Sequence, residues 1–233
     1  MQNPKIHLVS YGCERYNKSL ARLYHEGTSS TWFDKIFTFT NNDIPESIFV
    51  ANRSSRGGGY WAWKPYIIKK ALEQINTDDI LLYLDAGCTI NLLGSNRFNY
   101  YVKIVNDSKF LGFTSGIEKN FTKQDVFSEL NCNHEKYYDT EQIISGVFFI
   151  KKCILTSSLI DDWFNITRDV HMIDDSSSVE ENSKGFIEHR HDQSCLSLLV
   201  KKYSLKSISD ETYFDFNSNY AKSFPLWATR ICQ

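Results

Sequence analysis

Asp78-Asp79-Ile80-Leu81-Leu82-Tyr83-Leu84-Asp85-Ala86-Gly87 is the stretch whose reading decides the fold. A short apolar run, opened by two acids and closed by a carboxylate, a small residue and a glycine, reads as a buried strand. It does not alternate, which is expected where helices cover both faces of an α/β sheet. Ligands of open α/β sheets bind beyond the carboxyl ends of the strands, and Asp85 falls at that end. Ala86 and Gly87 leave room beside it for a close approach. An ordinary strand-terminal turn uses the same residue types, so the surrounding chain has to decide between a turn and a site.

Upstream, Ile6-His7-Leu8-Val9-Ser10-Tyr11-Gly12 reads as a first strand and its exit, followed by a helix over 17–25 and a second strand over 33–40. Pro65 suits the first turn of a helix, and Ile67, Ile68, Ala71 and Leu72 share one face of the segment running to Ile75. That helix leads into the strand ending at Asp85, which predicts a β-α-β unit with parallel strands.

Between the second strand and this helix lies Arg53-Ser54-Ser55-Arg56-Gly57-Gly58-Gly59-Tyr60-Trp61-Ala62-Trp63-Lys64-Pro65. Three glycines permit unusual backbone angles, the cations suit phosphate, and the rings suit a base or a sugar. Arg56, Tyr60, Trp63 and Lys64 are the candidates here. A flexible loop followed by core tryptophans would use the same residues. Neither a P-loop nor a Gly-x-Gly-x-x-Gly spacing is present.

Downstream, 109–114 has strand composition, and 115–140 is polar, read as loop and short helix. Gln142–Ile150 is a strand with a small-residue step at Ser145-Gly146. Such a step is a bulge signal, and bulges recur beside sites. A helix is expected from Ile154 to Thr167, and 174–184 reads as an acidic surface loop. Glu188-His189-Arg190-His191-Asp192-Gln193-Ser194 then precedes an amphipathic helix, followed by a last strand at 206–209 and an aromatic tail packed on the domain. Titratable groups at a helix N-terminus favour an anion site or a tuned acid or base. Asp192 as an N-cap in a charged turn is the plainer account.

The chain has 233 residues, 42% hydrophobic, 15% aromatic and 23% charged. That fits one domain spanning 1–233 with a sizeable core. A net charge of -2 argues against nucleic-acid binding. Six scattered cysteines without a Cys-x-x-Cys pair suggest reduced thiols in a cytosolic protein. No secretory signal or bilayer-spanning run is evident.

Tyr83-Leu84-Asp85-Ala86-Gly87, Ile144-Ser145-Gly146-Val147-Phe148 and His191-Asp192-Gln193 occur in an order that resembles GT-A glycosyltransferases of the glycogenin and bacterial lipopolysaccharide galactosyltransferase group. Gly-Tyr-Trp-Ala-Trp-Lys-Pro also resembles a stretch of bacterial and viral polysaccharide-assembly glycosyltransferases. The resemblance implies an α/β, Rossmann-type mixed and mostly parallel sheet flanked by helices. It implies a transferase using a nucleotide-sugar donor, UDP-linked, and a glycan or glycolipid acceptor, in a cytoplasmic or membrane-peripheral setting. Donor contacts fall on Tyr11, Arg56, Tyr60, Trp63, Lys64, Asp85, Ala86, Gly87, Ser145 and Gly146. Lys64 would meet the donor phosphate, and Ser145 and Gly146 would line the sugar pocket. Asp192 is the candidate base or oxocarbenium stabiliser, with Gln193 and Glu188 beside it. The family's aspartate pair binds a divalent metal, Mn²⁺ or Mg²⁺. Its second aspartate is Gly87 here, which leaves Asp85, His189 and His191 as candidate ligands, or Arg56 and Lys64 as cations without metal. A non-catalytic nucleotide-sugar-binding domain is the rival that Gly87 motivates.

Overall fold

The computed structural model describes residues 4–233. Its strands are β1 (Ile6–Tyr11), β2 (Lys35–Phe39), β3 (Ile80–Leu84), β4 (Thr89–Ile90), β5 (Phe110–Ile117), β6 (Glu141–Lys151), β7 (Lys206–Ser209) and β8 (Leu226–Trp227). Six of them form a sheet in the order β2-β1-β3-β6-β5-β7, while β4 and β8 pair separately. β2, β1 and β3 are parallel, β6 is antiparallel to both β3 and β5, and β7 is parallel to β5. The expected mixed, mostly parallel α/β sheet is therefore present, and the reversal falls on the strand that carries Ser145-Gly146.

All five residues of β3 are buried. Leu81 and Tyr83 face one core, with Ile67, Ile68, Trp163 and Leu196 from helices Lys64–Glu73, Ile154–Ile166 and His191–Lys202. Ile80, Leu82 and Leu84 face the other, with Leu23, Phe98 and Tyr101 from helices Asn17–Ser30 and Ser95–Ser108. Helices on both faces explain why the run does not alternate. The helix expected over 17–25 continues to Ser30 and stops at Thr31, which is left-handed at φ 58°. The polar stretch 115–140 holds three short helices, Glu118–Phe121, Gln124–Glu129 and Glu135–Tyr138.

The β5–β6 register jumps between Gly112 opposite Phe148 and Thr114 opposite Ile143. The Ser145-Gly146 step lies inside this irregularity, as its small residues suggested.

The glycine-rich stretch is an ordered turn. Gly57, Gly58, Gly59, Tyr60 and Trp61 all have positive φ, at 65°, 66°, 92°, 54° and 59°. Left-handed backbone costs a residue with a Cβ roughly 1–2 kcal/mol, so the surrounding packing must hold Tyr60 and Trp61 in place. Trp63 is core and donates from Nε1 to the Gly57 carbonyl at 2.9 Å. A Cβ on Gly57 would sit 2.2 Å from the Trp61 ring. Gly57→Ala is expected to destabilise the protein by about 1–3 kcal/mol, read as a lower urea midpoint at unchanged slope. An unmoved midpoint would show that the turn adapts freely.

Candidate active site

β1 lies between β2 and β3, and the chain visits β2 before returning to β3. The crevice beyond the carboxyl ends of β1 and β3 is thus the switch point at which open α/β sheets take ligands. Tyr11 closes β1 there, and Asp85 follows β3.

Lys64 is the centre of the cluster. Its Nζ lies 3.2 Å from Asp192 Oδ2 and 3.4 Å from Asp85 Oδ1. It donates to the Ser145 carbonyl and hydroxyl at 3.3 and 3.2 Å. Four segments converge on this ammonium. Pro65 lies in the first turn of the helix that Lys64 opens. The β6 irregularity brings Ser145 to it. Helix His191–Lys202 supplies Asp192, whose carbonyl accepts from Trp163 Nε1 at 3.0 Å. Tyr83 shares a strand face with Asp85 and donates its hydroxyl to Asp85 Oδ1 at 2.6 Å.

Burial works against the Lys64 charge, but Asp192 and Asp85 outweigh it, so its pKa is raised and it stays cationic. One ammonium serves two carboxylates. Burial, reinforced by the charge of Asp85, therefore still leaves the Asp192 pKa raised despite Lys64. The side chains of Lys64 and Asp192 are 2% and 4% exposed, whereas that of Asp85 is 44% exposed. Two expectations change accordingly. Lys64 has no free surface for a phosphate and stands behind the carboxylates. Asp192 is buried, so of the two acids on Lys64 it is Asp85 that has surface to meet a substrate, as Glu188 also has.

Gly146 makes that surface possible. A Cβ there would lie 2.8 Å from Asp85 Oδ2, and the Gly146 carbonyl accepts from Asp85 N at 2.9 Å. Gln193 is held at both ends: its Oε1 accepts from Ser145 N at 3.2 Å, and its Nε2 donates to Gln142 Oε1 at 2.7 Å. Asp192 sits in the first turn of its helix after Arg190, so it is not the N-cap.

The other candidates separate. Arg56 is exposed and lies 3.8 Å from Asp175 and 3.9 Å from Glu188. Tyr60 and Trp61 pack on the buried His191 ring at 5.3 and 5.2 Å between centroids. Tyr11 is buried, its ring 3.9 Å from that of Trp63 and its hydroxyl donating to Asn41, so it walls the crevice instead of offering a hydroxyl to a nucleotide. Ala86 is buried.

The residues present do not fit the divalent metal that the resemblance implies. Both nitrogens of His189 are engaged, with Lys123 N and with the Met172 carbonyl. His191 Nδ1 is engaged by the Ile173 carbonyl, while its buried Nε2 makes no hydrogen bond and lies 3.7 Å from Asp175. Among the described residues no three His, Cys, Asp or Glu side chains are grouped to hold a metal. The Asp85, His189 and His191 set is corrected for that reason. Gly87 is closed over as well: a Cβ would lie 3.1 Å from Arg230 Cα and from the Ile231 carbonyl, and Ile231 N donates to the Gly87 carbonyl at 3.0 Å.

His189 carries a pH dependence instead. Burial, aided by His191, lowers its pKa to about 3. Below an ordinary histidine pKa the unfolded chain takes a proton that the folded chain refuses. Stability is therefore expected to fall as pH drops from about 6.5, with a His189 contribution approaching ~1.4 kcal/mol per pH unit. Urea titrations of wild type and His189→Gln at pH 7 and 5 check this. Equal pH losses in both proteins would contradict it.

Sequence reading missed Tyr83, Gln142 and Arg230, and it named Trp61 and Arg190 only within their stretches. Tyr83 carried a readable signal, its period-two spacing from Asp85.

No family model and no curated protein matches the chain. Solved structures do. A glycosyltransferase involved in the glycosylation of the major capsid of PBCV-1 matches with TM-score 0.53 at 12% identity, covering 96% of this chain and 94% of that one. The bifunctional glycosyltransferase WbbM matches with TM-score 0.49 at 9% identity over 97% of this chain and 46% of its own. Mouse xyloside xylosyltransferase 1 matches with TM-score 0.47 at 9% identity over 98% and 94%. The first likeness, with the sheet order, defines the fold as GT-A-like. No helix among the described residues is long and apolar enough to cross a membrane.

Proposed function

We propose that the protein is a glycosyltransferase that moves a sugar from a nucleoside-diphosphate donor, UDP-linked, to a glycan hydroxyl in surface polysaccharide or glycoconjugate synthesis on the cytoplasmic side. The observation that carries this reading is the Asp85–Lys64–Asp192 cluster at the carboxyl ends of β1 and β3. The fold shared with a glycosyltransferase supports it. Asp85 faces the crevice. In an inverting reaction it takes the acceptor proton as the sugar–phosphate bond breaks. In a retaining reaction its charge stabilises the oxocarbenium-like centre. Lys64 fixes Asp85 from behind, and Asp192, Gln193 and Ser145 fix Lys64.

The test is a panel of UDP- and GDP-sugars offered with simple glycan acceptors, with released nucleoside diphosphate quantified by chromatography. Release that disappears in Asp85→Asn is the expected result. No release from any donor, together with no donor binding, would overturn the reading. The covering of Gly87 favours one alternative, a nucleotide-sugar-binding domain without turnover. Donor binding without release by the wild type would select it.

A further inference from the structure

The place of a metal in this crevice is filled by the protein. The Lys64 ammonium already lies between the two carboxylates, within 3.4 Å of both. The backbone of Arg230 and Ile231 covers Gly87, where a second acid would be needed. Of the two carboxylates on Lys64 only Asp85 is exposed, and that ammonium already pairs with it.

Arg230 abuts the Gly87 turn, and Arg190 lies within electrostatic range of it. Arg230 is exposed, its Cα lies against Gly87, and among the described residues no carboxylate pairs with it; its guanidinium lies over the Tyr213 ring at 5.5 Å. Arg190 precedes the helix that carries Asp192, packs over the Phe121 ring at 3.5 Å, and lies within electrostatic range of Arg230. Glu188 lies 3.6 Å from Arg190, and Glu118 is also within electrostatic range. Two like charges held near one another at a ligand crevice suit a dianion, because guanidinium pairs phosphate oxygens with directed hydrogen bonds.

We infer that nucleoside-diphosphate binding at this site needs no divalent cation: Lys64 occupies Asp85 and Asp192, and Arg190 and Arg230 meet the diphosphate. This rests on the donor reading above.

The test is calorimetric titration of UDP and GDP into the wild type with Mn²⁺ and with EDTA. It is accompanied by the electron paramagnetic resonance signal of free Mn²⁺ with protein and nucleotide. Equal affinity in both buffers and a free-Mn²⁺ signal no lower than with the nucleotide alone are expected. Arg230→Ala should lose about tenfold or more in affinity, and Arg230→Lys, which keeps the charge without the paired donors, should fall between it and wild type. Binding only in Mn²⁺, with the free-ion signal falling below that of the nucleotide alone, would overturn the inference and leave the glycosyltransferase reading standing. Metal-free binding that is indifferent to Arg230→Ala would overturn the role of that arginine. Failure of both nucleotides in both buffers would overturn inference and donor reading together.

Discussion

Lys64→Met is expected to lower stability by about 3–5 kcal/mol, because removing one partner of a buried ion pair leaves the other charge uncompensated. The stranded group is Asp192, whose side chain is 4% exposed. For a chain of this length the loss corresponds to a melting point lower by roughly 10 °C. Methionine approximates the volume of the lysine stem, so the loss reports on charge more than on packing. The deficit has a sign in pH. Asp192 already has a raised pKa from burial, and without Lys64 its charged form is less favourable still. The variant should therefore be most impaired near neutrality and recover relative to wild type as falling pH protonates Asp192. Calorimetric melts at pH 7 and pH 5 read both effects. A variant as stable as wild type at pH 7 would show that the ammonium is not the counter-charge of Asp192.

Asp85→Asn is expected to leave the fold within about 1 kcal/mol of wild type, since a half-exposed ion pair contributes little. Sugar transfer should fall by about 10²–10⁴, the range over which a positioned acid–base group acts. The informative comparison is with Asp192→Asn. Asp192 reaches the reaction only through Lys64, so its loss should lower stability more and transfer less. The reverse order, with transfer nearly abolished in Asp192→Asn and nearly retained in Asp85→Asn, would make Asp192 the reacting acid and require the site to open.

The strand ending at Asp85, the bulged step at Ser145-Gly146 and the helix opening at His191 were all readable in the chain. Each is a local pattern: an apolar run with turn chemistry, a small-residue break in a strand, and a titratable cluster before an amphipathic run. Their convergence was not readable. A lysine between tryptophan and proline reads as a phosphate ligand. Only tertiary packing shows that Lys64 is 2% exposed and points between two acids far away in sequence. The same holds for His189, which reads as a metal ligand until the Lys123 and Met172 backbone groups are found on its two nitrogens. Gly87 reads as a lost acid. The fold shows the physical counterpart, the backbone of Arg230 and Ile231 within 3.1 Å of where a Cβ would stand. Trp61 reads as one aromatic among three. Its left-handed backbone and its contact with His191 emerge only from the turn that the three glycines permit.

The most direct measurement is a crystal structure of the protein grown with a non-hydrolysable UDP-sugar. The account predicts the diphosphate at the carboxyl ends of β1 and β3, between Asp85 and Arg230, with the sugar against Asp85 and Gly146. Density in the separate cavity of about 480 Å³ bordered by Asp125, His171 and Glu180, with the β1–β3 crevice empty, would contradict it.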